Sequence, residues 1–164
     1  MSKHFDNVDQ YAGSIDEIWA MISEKGYYEG KYEALGASNL DWQTFNAGSD
    51  SISVSSIREV DANLPGFARK VIGDKAVITQ TENWHRQGDH LVCEVGILTK
   101  GAPGGISGTM SIKPSGGGSE WDAHFDIKVA IPLLGKKFEG LAHDETVENF
   151  KKEKAFNDEW LASH

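Results

Sequence analysis

One change of hydrophobic period limits the folds open to this chain. From Ser119 to Ile131, the residues Trp121, Ala123, Phe125, Ile127, Val129 and Ile131 alternate with Glu120, Asp122, His124, Asp126 and Lys128. Strict alternation of this kind describes a strand with one buried and one wet face. Pro132 lacks a backbone donor and stops the ladder. Beyond Gly135 the period becomes 3.6 and holds to about Leu161, which predicts a helix roughly 40 Å long. On a helical projection Phe138, Ala142, Asn149, Phe156 and Trp160 share one face, with Asp144, Glu148, Lys151 and Asp158 opposite. So long an amphipathic helix needs a large apolar partner, and the strands before it are the candidates.

Upstream, His4–Tyr11 reads as a first strand. Ser14-Ile-Asp-Glu17 has the spacing of a capping box, and Ile15, Ile18, Trp19 and Ile22 follow at helical intervals to a stop near Gly26. Tyr27–Leu35 forms a second short helix bounded by Gly36. The period then becomes two. Leu40–Phe45 and Ser51–Glu59 are strands joined by the turn-rich Asn46–Asp50, and Leu64–Ile72 is a short helix or an irregular flap. Lys75–Arg86, His90–Leu98, Gly104–Lys113 and Ser119–Ile131 complete the strands. The short glycine-rich pieces Gly101–Gly105 and Ser115–Ser119 read as turns.

The expected fold class is therefore α+β: a curved antiparallel sheet of about seven strands wrapped on a long C-terminal helix, with two short helices after strand 1. Short links imply a meander, and a gap between bent sheet and helix would make an internal cavity. At 164 residues the chain fits a single domain spanning 1–164. Sixteen Lys and Arg against twenty-five Asp and Glu give a net charge of −9, which repels nucleic-acid phosphates and anionic lipid surfaces. Nucleic acid is thus excluded as the expected partner. Met1–Gln10 shows no leader pattern, and no run reaches the roughly 20 apolar residues of a membrane span. The single cysteine, Cys93, sits in an apolar run and suits a buried thiol in a reducing compartment. A cytoplasmic location without stable membrane insertion is expected.

Several stretches carry a resemblance. They are Leu64-Pro-Gly-Phe67, Thr79-Gln-Thr-Glu-Asn-Trp84, Gly104-Gly-Ile-Ser-Gly-Thr-Met110, Val129-Ala-Ile-Pro-Leu-Leu-Gly-Lys-Lys-Phe-Glu139 and Trp160-Leu161. In these and in its element order the chain resembles the START-like, polyketide cyclase/dehydrase and lipid-transport superfamily, with its helix-grip fold. Within that superfamily it looks like an uncharacterised bacterial family. The resemblance implies binding or transfer of a lipid, sterol, polyketide or other hydrophobic molecule, and in some members catalysis. In Ile131-Pro-Leu-Leu-Gly135 we expect Pro132 to end the ladder, Leu133 and Leu134 to anchor the corner, and Gly135 to permit the turn into the helix.

The candidate ligand-binding residues are Tyr27, Tyr28, Trp42, Phe67, Trp84, Met110, Phe125, Phe138, Asn149 and Glu153. For most of the aromatics, plain core packing is the competing reading. Asn149, Glu153 and Thr146 place polar groups on or beside the inward helix face. There they would orient a ligand, act as acid or base, pair with strand side chains, or turn to solvent. His85 and His90 flank a turn, while His124 and His143 lie off the apolar faces. With no HxH, HExxH or CxxC spacing, no metal and no cofactor are expected. No nucleophile elbow, phosphate loop or dinucleotide fingerprint occurs. The expected function is binding or transport of a hydrophobic small molecule. A cyclase/dehydrase-type enzyme using a cavity acid/base is the first alternative, and a non-enzymatic interaction or sensing module the second.

Overall fold

The computed structural model describes residues 2–61 and 64–164. Strand β1 (Lys3–Tyr11) leads into helices α1 (Ile15–Ile22) and α2 (Lys25–Ala34). At the start of α1, Ser14 Oγ accepts from the Glu17 amide at 3.2 Å and the Glu17 carboxylate accepts from the Ser14 amide at 3.1 Å. This reciprocal cap satisfies two donors that the first turn leaves free. The chain continues through β2 (Ala37–Ala47), β3 (Ser51–Val60), α3 (Gly66–Ile72), β4 (Ala76–Gln87), β5 (His90–Thr99), β6 (Ala102–Ser115), β7 (Gly118–Val129) and α4 (Gly135–Ser163).

The seven strands form one antiparallel sheet in the order β1-β7-β6-β5-β4-β3-β2. Strands β2 to β7 are a meander of sequential neighbours. The pairing of β1 with β7, with Phe5 opposite Phe125, joins the first strand to the last. Register shifts in β2–β3 and β5–β6 bend the sheet further. Its concave face holds Phe5, Trp84, Cys93, Met110, Ile112, Trp121, Ala123, Phe125 and Ile127, all buried. Helix α4 packs on β1 and β7 and also contacts α1 and α2. This is the helix grip that the change of period implies. Among the described residues, no helix is long and apolar enough to cross a membrane.

Gly104 and Gly105 lie within β6, as the strand reading of Gly104–Lys113 expects and the turn reading of Gly101–Gly105 does not: a Cβ on Gly104 would lie 2.1 Å from the Lys128 carbonyl oxygen, at a φ of +107°. The glycine lets β6 run close beside β7 where an alanine could not. At the β7–α4 corner, Leu133 is not an anchor. It is fully exposed and adopts a φ of +66°. The corner is held instead by Glu139, whose buried carboxylate accepts from the Val129 amide at 2.9 Å. The closeness of that approach leaves 2.5 Å between a Cβ on Gly135 and the Val129 carbonyl oxygen. Lastly, the inward face of α4 is more polar than its projection suggests. Its buried residues are Phe138, Glu139, Thr146 and Asn157, flanked by half-buried Ala142, Phe150, Phe156 and Trp160.

Candidate functional site

Between the sheet and α4 lies a cavity of about 230 Å³. Its two walls differ in chemistry. Strands β5 to β7 contribute Val95, Ile97, Ile106, Met110, Phe125 and Val129, faced by Phe138, Leu141, Ala142 and Phe150 of α4. The opposite wall, built by α2, β3, β4 and the C-terminal half of α4, carries Lys31, Tyr32, Arg58, Gln80, Glu82, Glu153 and Asn157. The concave alternation of β3 and β4 turns Arg58, Gln80 and Glu82 inward, and the bend of the sheet brings them toward α2.

Every charged group on the polar wall sits where water is scarce, so its partners matter. Lys31 Nζ stands 3.4 Å from a Glu153 carboxylate oxygen; its side chain is almost wholly buried, and about a quarter of the Glu153 side chain remains accessible. Loss of hydration raises the Glu153 pKa above the ordinary glutamate value, an effect that nearby Lys31 opposes. Desolvation works against charge on Lys31 as well, yet Tyr27, Glu153 and Glu82 outweigh it and hold the lysine pKa above normal. The ammonium also lies over the rings of Tyr27, Tyr28 and Tyr32, at 4.9, 5.2 and 5.4 Å from their centroids. Glu82 accepts from Trp84 Nε1 at 3.0 Å and from Gln80 Nε2 at 2.7 Å. Gln80 in turn accepts from Arg58 Nη2 at 2.8 Å. Burial pushes the Tyr32 hydroxyl up to about 12, so it stays protonated and able to donate. On the same wall Asn157 bridges two tyrosines, accepting from Tyr27 Oη at 2.7 Å and donating to Tyr11 Oη at 3.1 Å.

Of the ten residues singled out in the sequence, Met110, Phe125, Phe138, Asn149 and Glu153 line the cavity. The other five pack elsewhere. Tyr27 is buried against Tyr28, Phe156 and Trp160. Tyr28 donates to the Ile22 carbonyl and packs on Trp42 and Phe45. Trp84 sits edge-on to Trp121, and Phe67 of α3 meets Phe138 edge-on at 5.4 Å. Glu153 does find a partner, but from helix α2 and not from a strand. Sequence reasoning missed Lys31, Arg58, Glu82 and Asn157. A charged residue at an inward strand position, such as Arg58 in the alternation Ile52, Val54, Ser56, Arg58, was the available signal.

The histidines fall away from the cavity. His90 bonds the adjacent Asp89 at 2.7 Å. On the exposed face, His4, Asp6 and His124 come together because β1 pairs with β7, with ligand-type atoms within 4.8 Å of one another. One Asp6 oxygen already bonds both imidazoles, at 2.7 and 2.5 Å.

The DUF2505 family model, described as a protein of unknown function, matches residues 6–161. The chain belongs to this family. A relative of this DUF2505 chain, an uncharacterized protein of Mycobacterium tuberculosis, is 25% identical over 174 residues, covering 100% of this chain and 99% of the relative. Among solved structures, a Thermus thermophilus protein superposes with a TM-score of 0.65 at 15% identity, covering 98% of each chain. A START superfamily protein from Mycobacterium smegmatis gives 0.58 at 13% identity over 98% and 97% of the two chains. Norcoclaurine synthase from Thalictrum flavum gives 0.59 at 17% identity, covering 100% of the DUF2505 chain and 88% of the enzyme. At such identities the likeness establishes a shared architecture: this DUF2505 chain has the START-like helix-grip fold.

Proposed function

We propose that this DUF2505 protein binds a small hydrophobic molecule, of lipid, sterol or polyketide-like character, in the cavity between sheet and α4. The carrying observation is the cavity itself, with an apolar wall from β5 to β7 that core packing leaves unfilled. Packed interiors leave few voids larger than a water molecule, so a gap of this size across a whole wall fits a ligand better than a packing defect. The candidate contacts are Met110, Phe125 and Phe138 on the apolar side and Asn149 and Glu153 on the polar side. Native mass spectrometry before and after organic extraction tests the reading, together with titration by the neutral fluorophore N-phenyl-1-naphthylamine. Co-purifying apolar mass or saturable fluorophore binding is expected. No retained mass and no saturable binding would remove it.

A second reading keeps a place because the cavity holds ionisable groups. An aromatase/cyclase from Streptomyces sp. R1128 shares the fold, with a TM-score of 0.55 at 12% identity over 98% of this chain and 92% of the enzyme. Glu153, with its raised pKa beside Lys31, has the character of a general acid or base. A cyclisation or dehydration assay that retains full turnover in Glu153→Gln would remove that residue from any such chemistry.

A further inference from the structure

Arg58 on the polar wall has incomplete hydrogen bonding. It is 6% exposed and lines the cavity. Its orientation is fixed twice, by stacking on Tyr32 with the guanidinium carbon 4.1 Å from the ring centroid and by the Nη2 bond to Gln80. Yet Nε and Nη1 have no partner among the described residues, and neither has the Tyr32 hydroxyl. Both carboxylates of the wall are engaged by other groups, Glu82 by Trp84 and Gln80, and Glu153 by Lys31. A buried guanidinium whose only side-chain acceptor among the described residues is a neutral amide is costly to maintain in a merely structural role.

We infer that Arg58 and Tyr32 seat the carboxylate head of an amphipathic ligand whose apolar body lies along β5–β7 and the first half of α4. The proposal rests on the cavity-binding reading above and adds the chemical class of the ligand. The unfilled guanidinium and phenol N–H and O–H groups are donors, so the head must accept. Among the described residues no carboxylate lies within ion-pair distance of the guanidinium, although its charge acts on Glu153; an anionic head would supply the short-range contact its free N–H groups lack, and their planar array matches a carboxylate better than a ketone or alcohol. A cation is disfavoured because the two acids it would need already have partners. Tyr32 stacking and the Gln80 tether hold the guanidinium ready, so little ordering remains when a ligand arrives.

The test compares three probes of one chain length, octanoate, 1-octanol and octylamine, each displacing N-phenyl-1-naphthylamine at neutral pH. Octanoate is expected to compete roughly ten- to a hundredfold better than octanol, the range of a charge-assisted hydrogen bond or two, with octylamine weakest. Arg58→Gln should bring the acid and the alcohol within a few-fold of each other, each displacement being read against that variant's own fluorophore affinity. Tyr32→Phe should narrow the gap in part, and it serves if Arg58→Gln does not fold. Equal displacement by acid and alcohol, or preference for the amine, overturns the carboxylate seat and leaves the cavity reading standing. Failure of the fluorophore to bind at all overturns both.

Discussion

Replacing Asn157 by leucine should weaken the hold of α4 on the rest of the molecule without making a hole. Asn157 is 2% exposed and stands between Tyr27 of α2 and Tyr11 at the end of β1. Leucine is no smaller than asparagine, so the cost is polar. Two buried tyrosine hydroxyls lose their partner, at about 1–3 kcal/mol each. Tyr11 borders the cavity, where water can replace one bond, so the sum should fall near the low end, about 2–4 kcal/mol. For a chain of this size that lowers the melting temperature by roughly 4–16 °C. The diagnostic variant is Tyr11→Phe/Tyr27→Phe/Asn157→Leu. Removing every polar atom of the bridge should recover most of the loss, because an apolar trio of similar shape leaves nothing unsatisfied. Urea unfolding followed by tryptophan fluorescence measures all three proteins. The reasoning fails if Asn157→Leu lies within about 0.5 kcal/mol of the parent, the usual scatter of neutral surface changes. It fails equally if the triple variant is no more stable than the single one.

Lys31→Met should destabilise by about 3–5 kcal/mol at neutral pH, since it strands the Glu153 carboxylate, whereas Lys31→Met/Glu153→Leu should cost less; chemical denaturation of both checks the order. The Glu153 pKa lies above its ordinary 4.5, so the stability it supplies is full below that value and is lost as pH rises through the folded value. The deficit of Lys31→Met should therefore shrink in acid and widen toward neutrality, and a pH-independent deficit would contradict the pairing. Gly104→Ala should cost at least about 2 kcal/mol by calorimetry, because the new Cβ meets the Lys128 carbonyl at a positive φ. Burial pushes the Cys93 thiol well above its usual range, so Ellman's reagent should label it only after denaturation, and fast labelling of the native protein would show that β5 is open.

The sequence alone determined the layers. Alternation in Ser119–Ile131, the Pro132 stop and the long 3.6-period run past Gly135 each depend on local chain geometry, and β7 and α4 lie close to where that periodicity puts them. The Ser14–Glu17 cap was legible for the same reason, since all its atoms lie within four residues. The tertiary structure alone decided the polar wall. Lys31 and Glu153 are brought together by the packing of α2 on α4, and Arg58 meets Tyr32 only because the sheet curls toward α2. Likewise, Tyr27, Tyr28 and Trp84 carry the same aromatic signature as Phe125 and Phe138, and only the fold sends the first three into packed layers and the last two to the cavity wall. Periodicity tells which way a side chain points relative to its own element. Which groups meet across a gap depends on twist, bulges and helix crossing, and those arise only when the elements pack.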